Sequence, residues 1–244
     1  MQSHEKLAVY QLSLKFLDHR RRLLADVERV VSACDHLDRA GESIPLNIAR
    51  ASSLWSARER MKYIAIANGS ALECAAALDV LAVRKLLGVE GLRSAKDVLR
   101  SMVSMLIAWR KTTGQRVLEE GAKYKTGEPW CFDHEKLDVY RAALELNGWL
   151  EDVQLHLRVG ADLDAKVDKS ATSIVLNIAE GNGRFGSADR RKFIAIAGHA
   201  VSQLSALLDV AALDADPSCD FAYGRQLLPR IAAMLNAWSN SLAE

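Results

Sequence analysis

The chain has 244 residues, half of them apolar and 26% charged, and its formal net charge is +1 at neutral pH. This length and apolar content allow one sizeable core or two small ones. The near-zero charge argues against a strong, purely electrostatic nucleic-acid binder. Ala and Leu are abundant and aromatic residues are few, which favours helices over sheets.

Cysteine usage and hydropathy point to a soluble cytoplasmic protein. No C-x-x-C spacing occurs, so neither a zinc site nor a disulfide framework is indicated, and buried free thiols are expected. The opening "MQSHEKLAVYQ" lacks the basic start and apolar run of a secretory signal. The longest uncharged stretch, Phe193–Leu208, is too short to span a bilayer. The four cysteines are Cys34, Cys74, Cys131 and Cys219.

Four helices are predicted in the first half of the chain. Apolar residues recur at steps of three and four from Leu7 to Cys34, which predicts the first helix. The phrase "SIPLNIAR" marks the second, and "MLIAW" lies in the fourth. Ser56 and Glu59 form a capping box that opens the third. The predicted buried stripe of this third helix is Tyr63, Ala67, Ser70, Cys74, Ala77 and Leu81.

Four more helices follow because the chain repeats itself at an offset of about 130 residues. The matching phrases are "HEKLAVY" and "HEKLDVY", "SIPLNIAR" and "SIVLNIAE", "KYIAIA" and "KFIAIA", and "MLIAW" and "MLNAW" with one deletion. Gly181 and Gly183 are expected to end the second helix of the repeat in a left-handed conformation. Ser187 is predicted to cap the next helix, and Asp216-Pro217 to open the last. The third helix of this repeat is expected to bury Phe193, Ala197, Ala200, Leu204, Leu207 and Ala211.

The sequence therefore predicts an all-α protein of two tandem up-and-down four-helix bundles, each closed around its own core. Small residues on the predicted seams allow helices to approach closely, as bundles require. The first bundle spans residues 1–115, a linker containing glycines and a proline spans 116–131, and the second bundle spans 132–244. No alternating strand pattern of useful length is present.

Asn47 and Asn177 lie in otherwise apolar helical phrases. A buried amide in such a position typically bonds across a bundle and fixes the register of its helices. We therefore predict a structural role for both, with a ligand contact as the alternative.

Three phrases together suggest a family: "HEKLxVY", then "SIxxNIAEGxGR", then "KFxxIAxGSxxE". They resemble the four-helix bundle proteins encoded in bacterial ribosomal RNA intervening sequences, and the accessory variability determinant (Avd) of diversity-generating retroelements looks like a relative. The resemblance implies a bundle that assembles into a ring and has no catalytic site. Avd-like members bind nucleic acid and a reverse transcriptase through basic surfaces.

Each copy of the pattern keeps a different half of it. The second copy keeps Glu180, Gly181, Gly183 and Arg184, where the first has Arg50, Ala51, Ser53 and Leu54. The first copy keeps Gly69, Ser70 and Glu73, where the second has His199, Ala200 and Gln203. We hypothesise that the copies have specialised for an asymmetric contact between bundles or with a partner. Drift at positions that only help packing is the alternative.

Known catalytic and metal-binding patterns are missing from the sequence. "HEKL" lacks the second histidine of a zincin, because those positions hold Ala8 and Asp138. No Glu-x-x-His pair of a bundle di-metal site occurs, and Asp152 with His156 reads as a surface pair. "GNGRFG" follows a predicted helix rather than a strand, so it is no dinucleotide fingerprint. We expect no enzyme, metal or cofactor; a bundle with a cofactor in its core is the weakest alternative.

Basic clusters are the remaining functional candidates. Residues 1–120 carry 19 Lys and Arg against 14 Asp and Glu, whereas residues 121–244 carry 13 against 17. Two clusters open the third helix of each copy, and their recurrence would add phosphate contacts; solvated faces are the alternative. The candidate nucleic-acid contacts are Arg20, Arg21, Arg22, Arg58, Arg60, Lys62, Arg184, Arg190, Arg191 and Lys192.

The function expected from these features is that of a non-catalytic adaptor that forms homo-oligomers and binds RNA, DNA or a nucleic-acid enzyme such as a reverse transcriptase. Only Trp55 and Phe185 accompany the basic clusters as aromatic residues, so sequence-specific readout is not supported. The alternative is a protein-only scaffold whose acidic second bundle contacts a basic partner or another copy. No membrane partner is expected.

Overall fold

The computed structural model describes residues 3–25, 27, 31–114, 132–154, 160–215 and 219–242. These residues are helical and include no strand, as the sequence predicts. Two short 3₁₀ helices, Ser3–Lys6 and Asp133–Lys136, precede the first and fifth α-helices. The α-helices are α1 (Ala8–Ala25), α2 (Ser32–Ser53), α3 (Ala57–Val83), α4 (Val89–Gly114), α5 (Asp138–Gln154), α6 (Ala161–Gly183), α7 (Ser187–Asp214) and α8 (Ala222–Ser241).

The prediction of a single first helix from Leu7 to Cys34 is wrong, because it is too long. Helix α1 ends at Ala25, and Cys34 lies in the first turn of α2. The predicted stripe also contained Leu14, which is exposed. Apolar spacing continued across the break because the residues before and after it face the same core.

Two of the predicted capping features are wrong. Ser56 accepts a hydrogen bond from the Glu59 amide at 3.4 Å, as the capping box predicts. Helix α7, in contrast, has Gly186 at its N-cap, and Ser187 is already helical. Gly181 and Gly183 are not left-handed but belong to α6, and the chain leaves the helix at Arg184 in an extended conformation.

Other predicted features fall outside the described residues. Asp216-Pro217 is one of them, but the prediction that it opens the last helix is wrong, because residues 219–221 are not helical and α8 begins at Ala222 with Phe221 at its N-cap. The predicted linker, 116–131, and with it the proposed domain boundaries, also lies outside the described residues and stays a prediction.

Helices of the first half (α1–α4) contact one another in a closed cycle: α1 with α2, α2 with α3, α3 with α4, and α4 with α1. Helices of the second half (α5–α8) repeat this cycle. The predicted stripes of α3 and α7 point inward, since Ala67, Cys74 and Leu81 in α3 and Ala197 and Leu204 in α7 are fully buried.

The two halves also pack directly on each other. Helix α3 contacts α5 and α6, and α2 contacts α6. The buried apolar residues of all eight helices consequently form one continuous cluster. The expectation that each half closes around a separate core is wrong, because α3 has apolar or small residues on almost every face and is covered from both sides.

Helices α3 and α7 are both long and apolar enough to cross a membrane by length and composition alone. In α3 this apolar segment is 83% buried within the protein, which identifies a core helix. In α7 only 33% of the corresponding segment is buried. One apolar face of α7 is therefore uncovered in the isolated chain.

Cys34 and Cys74 are buried free thiols, as predicted. Burial raises the pKa of both, and raises that of Cys74 well above its ordinary value. Both groups therefore stay protonated and unreactive at neutral pH. Cys219 is partly exposed, and Cys131 lies outside the described residues.

Continuity of the core predicts one cooperative unfolding transition for the whole chain. Separating the halves would expose buried residues of α3 such as Leu72, Ala76 and Val80, so neither half should unfold without the other. We expect coincident guanidinium transitions by far-UV circular dichroism and by tryptophan fluorescence. Two resolved transitions would contradict this expectation.

Candidate functional site

The retained halves of the duplicated pattern meet at the contact between α3 and α6. A Cβ atom on Gly69 would lie 3.3 Å from Glu180 Oε1 and 3.4 Å from Arg184 Nη2. A Cβ atom on Gly183 would overlap the Cδ1 atom of Leu72 in α3. Of the retained residues, Gly69 in the first half and Glu180, Gly183 and Arg184 in the second thus lie where the two halves meet.

Glu180 is the charged centre of this contact. It pairs with Arg184 one turn further along α6, and the Arg184 guanidinium carbon lies 4.5 Å from the centre of the Phe193 ring. On the α3 side, Glu73 Oε1 lies 2.9 Å from His36 Nδ1. Burial raises the pKa of Glu180, Arg184 opposes that rise, and Glu73 adds to it. The two carboxylates are therefore electrostatically coupled across the contact between the halves.

Gly181 has a different role, inside the second half. A Cβ atom there would lie 3.1 Å from the Phe193 Cβ atom. Glycine lets α6 and α7 approach closely at this point.

A second polar junction, which the sequence analysis missed, surrounds Arg84 at the end of α3. Its side chain is almost fully buried; Nη1 donates to Asp168 Oδ1 at 2.5 Å and Nη2 to Asn147 Oδ1 at 3.0 Å. The other carboxylate oxygen of Asp168 accepts the Ser32 amide at 2.7 Å. One arginine of the first half is thus held by two helices of the second, while Asp168 caps α2 in return.

The arginine is brought to this position by a left-handed residue. Lys85 has φ of 61° and reverses the chain after α3, with the Leu86 amide bonding to the Leu81 carbonyl at 2.9 Å. No charge pattern in the sequence marked Arg84, because Asn147 and Asp168 are distant along the chain. The sequence feature that could have drawn attention to these three residues is that each is a polar residue within a mostly apolar helical segment.

A third polar cluster lies under the start of the second half. Lys96 Nζ is 2.6 Å from both Asp79 Oδ1 and Glu135 Oε1. The Tyr140 hydroxyl donates to Asp79 Oδ2 at 2.8 Å. Burial raises the pKa of Asp79, and burial together with Asp79 raises the pKa of Tyr140. Burial lowers the pKa of Lys96, but Asp79 and Glu135 outweigh it, so the ammonium stays charged.

Asp79, His134 and Glu135 offer ligand-type atoms within 4.8 Å of one another. They fit a metal ion poorly, because the Lys96 ammonium already lies against both carboxylates. A divalent cation would have to displace that buried charge. The arrangement instead supports a structural ion network that joins α3 and α4 to the start of the second half.

Asn47 and Asn177 do not bond across the bundle as predicted. Each side-chain amide donates to the carbonyl four residues earlier in its own helix, Ser43 at 2.8 Å and Ser173 at 2.7 Å. Ser70 supplies the link between helices in the first half, since its hydroxyl donates to the Ser43 hydroxyl at 2.8 Å.

The predicted basic contacts divide into four groups. Arg20 is buried, with Nη1 donating to the Asp38 carbonyl at 2.7 Å, so it is unavailable to a ligand. Arg60 and Arg190 clamp equivalent connections by donating to the Leu54 and Arg184 carbonyls at 2.6 and 2.9 Å. Arg184 belongs to the contact between the halves. The exposed members are Arg21, Arg22, Arg58, Lys62, Arg191 and Lys192.

Two surfaces, one in each half, are exposed although the equivalent surface of the other half is buried. On α7, Val210 is 49% exposed and Leu213 is 82% exposed, whereas Val80, which lies 130 positions before Val210, is fully buried. On α2, Leu46 is 70% exposed, whereas Leu176 is 3% exposed. The α7 face consists of Ile196, His199, Gln203, Val210 and Leu213; the α1–α2 face consists of Leu14, Glu42, Leu46 and Arg50.

The cause of this difference lies in the contacts between the halves. Helix α3 is covered by α5 and α6, whereas α7 contacts only α6 and α8 among the described helices. Likewise α6 is covered by α2 and α3, and the equivalent surface of α2 has no helix over it in the described residues. The contact between the halves thus covers the α3 surface of the first half and the α6 surface of the second. It leaves open the equivalent surfaces, which are α2 in the first half and α7 in the second.

Residues 5–108 match the model of a family described as 23S rRNA-intervening sequence proteins. No curated protein and no solved structure was found to match the chain. The first half is therefore similar to that family, which agrees with the resemblance read from the duplicated phrases.

Loss of the Arg84 side chain should destabilise the protein strongly. Arg84→Met leaves Asp168 buried without its cation, which costs about 3–5 kcal/mol in comparable buried pairs. Lys85→Met is the matched control, because Lys85 pairs with Asp152 at the exposed surface, where such pairs contribute about 0–1 kcal/mol. Guanidinium unfolding measures both free energies, and equal losses would refute the assigned role.

Stability should also depend on pH through His134. Burial, reinforced by Lys96, lowers its pKa from 6.5 to about 3, and neither ring nitrogen has a hydrogen-bond partner. Between pH 6.5 and about 3, His134 is protonated in the unfolded chain but neutral in the folded chain. The free energy of unfolding should therefore fall as the pH drops from 6.5 towards 3. This contribution reaches about 1.4 kcal/mol per pH unit.

His134→Phe should remove that contribution and keep the stacking against Phe132. Asp79, Lys96 and Glu135 remain in both proteins, so the difference between the two stability–pH curves isolates the histidine. Parallel curves for wild type and variant between pH 6.5 and 4 would contradict the assignment.

Proposed function

We propose that this protein is a non-catalytic helical scaffold, built as two tandem four-helix bundles, that associates head-to-tail with copies of itself and binds nucleic acid. The observation that carries the proposal is the pair of uncovered faces, one on α7 and one on α1–α2. Five large apolar side chains that are exposed in the described residues lie on these two faces: Leu14, Leu46, Ile196, Val210 and Leu213.

The contact within the chain supplies the template for the contact between chains. Within the chain, the α3 surface of the first half receives α5 and α6 of the second. In a head-to-tail assembly, the α7 face of one copy receives α1 and α2 of the next. Because the two surfaces differ, the contact is heterologous and builds a ring or an open array rather than a two-fold dimer.

Charge also favours this pairing. The half that offers the α7 face is the acidic one, and the half that offers the α1–α2 face is the basic one. Asp209 and Arg225 on the α7 side form an ion pair at 3.1 Å, which corresponds to the pair of Asp79 and Lys96. Tyr10 and Glu5 on the opposite side correspond to Tyr140 and Glu135, so a polar cluster of the same composition would form.

Nucleic-acid binding is supported by the exposed basic residues at the starts of α3 and α7. Arg58 and Lys62 open α3, and Arg191 and Lys192 open α7. Assembly repeats these positions, and phosphate affinity rises with the number of charges neutralised together. The likeness to intervening-sequence proteins and the resemblance to Avd extend the proposal to a reverse transcriptase as protein partner in a bacterial cytoplasm.

A protein-only scaffold is the alternative, favoured by the near-zero net charge. In that case the acidic second half contacts a basic partner or another copy, and nuclease treatment leaves the complex intact.

The assembly is tested with one substitution on each face. Leu46→Asp and Val210→Asp should each abolish self-association, measured as molar mass by light scattering, because each places a charge in the apolar contact. Val89→Asp is the matched control, since Val89 is 81% exposed but lies on neither face.

Mixing the two single variants makes the test specific for head-to-tail contact. Each variant keeps one intact face, so the mixture should form a 1:1 dimer and nothing larger. A wild-type protein that stays monomeric at high micromolar concentration, or two variants that associate normally, would overturn the proposed assembly.

A further inference from the structure

Trp55 has the most exposed large apolar side chain in the described residues, with 99% of its surface open to solvent. It lies in the connection between α2 and α3, and the backbone on both sides of it is fixed. Arg60 Nη2 donates to the Leu54 carbonyl at 2.6 Å, and the Arg60 amide bonds to the Ser56 carbonyl at 2.9 Å. The indole is thus presented from a rigid turn.

Cationic residues precede and follow Trp55 closely in the sequence, at Arg50, Arg58 and Lys62. The Arg50 guanidinium carbon lies 4.4 Å from the centre of the Tyr63 ring and Lys62 Nζ lies 5.8 Å from it. Arg50, Arg58 and Lys62 are exposed, and none of them forms an ion pair within the described part of the chain. We call Trp55, Arg58 and Lys62 the α2–α3 corner; Arg50 belongs to the α1–α2 face.

The equivalent corner of the second half is partly covered, with Phe185 44% exposed. Phe185 corresponds to Trp55, and the Arg110 guanidinium carbon of the first half lies 3.6 Å from the centre of its ring. Arg184, next to it, is paired with Glu180. The contact between the halves therefore covers one face of the Phe185 ring and engages Arg184, whereas the Trp55 ring of the first half has no such cover.

We propose that the α2–α3 corner binds single-stranded nucleic acid, with a base stacked on the Trp55 indole and the adjacent phosphates held by Arg58 and Lys62. Every base has a face that can stack on an aromatic ring, whereas the faces in a duplex are already stacked on their neighbours. Stacking on an aromatic ring tolerates every base, so the site binds a strand without reading its bases. This site rests on the nucleic-acid part of the proposed function and gives it a place and a strand preference.

Charge and shape favour a nucleic acid over a protein partner at this corner. An apolar protein surface would desolvate the Arg58 and Lys62 cations without a partner of opposite charge, which costs free energy. A single strand supplies phosphates for the cations and an aromatic face for the indole together. RNA and DNA share this chemistry, and the experiment separates them.

Binding is measured by fluorescence anisotropy with labelled oligo(U), oligo(dT) and a duplex of the same length, over a range of salt concentrations. Trp55→Ala should weaken single-strand binding about 5- to 150-fold and leave the salt dependence unchanged, because it removes one stacked base. Trp55→Phe should retain most of the affinity. Arg58→Gln with Lys62→Gln should reduce the slope of log K against log salt by about 1.4.

The second corner provides the matched controls. Phe185→Ala should leave single-strand affinity within about twofold of wild type, because its ring is covered by Arg110. Circular dichroism verifies that each variant is folded, and the 99% exposure of Trp55 makes a folding defect in Trp55→Ala unexpected.

The outcomes separate the site from the proposed function. Wild-type binding that Trp55→Ala leaves unchanged, or equal affinity for duplex and single strand, refutes the stacking site while nucleic-acid binding stands. Absence of binding to every probe at low salt overturns both. Loss confined to oligo(U) or to oligo(dT) identifies the strand that the corner prefers.

Discussion

The structure depends on the close approach of α3 to α6. Gly69 on α3 leaves room for the side chains of Glu180 and Arg184, and Gly183 on α6 leaves room for that of Leu72, so these side chains fill the space between the halves. Arg84 closes the same contact at the end of α3 with a buried guanidinium held by Asp168 and Asn147. Burial of α3 on both sides follows from these contacts, and the continuous core follows from the burial of α3.

This contact explains why two similar stretches of sequence have different surfaces. It is asymmetric, because α3 of the first half receives α6 of the second, while α7 has no corresponding partner in the described residues. Packing therefore constrains different positions in each half. Gly69 and Glu73 are retained where the α3 surface is covered, and Glu180, Gly183 and Arg184 where the α6 surface is covered. The open counterparts, His199 and Gln203 on α7 and Arg50 on α2, are free of that constraint.

Periodicity in the sequence was sufficient to predict the helical class, the starts of α3 and α7 within one residue, and the inward stripes of both helices. It failed where the determining contact is distant along the chain. Leu7 to Cys34 looked like one helix because residues on both sides of the break face one core. Gly181 and Gly183 do lie at the end of α6, as predicted, but neither is left-handed, and the contacts with Phe193 and Leu72 that require glycine there come from residues distant along the chain.

The candidate site was predicted in part. The unequal loss of the duplicated pattern identified the residues of the contact between the halves, although it could not say which helices they join. Arg20, Arg60 and Arg190 were expected to be available cations, but each is held by a carbonyl that sequence spacing does not reveal. Arg84, Asn147 and Asp168 were missed because an isolated polar residue in an apolar stripe has no sequence signature of its partner.

The most direct measurement of the contact between α3 and α6 is a disulfide across it. Leu72→Cys with Gly183→Cys, in a chain whose native cysteines are replaced by alanine, brings two thiols to a separation at which a disulfide can close. The account predicts that oxidation links the halves within one chain, so that cleavage in the 115–131 segment yields a single band on a non-reducing gel and two bands after reduction. Two bands without reductant, or links formed only between different chains, would contradict it.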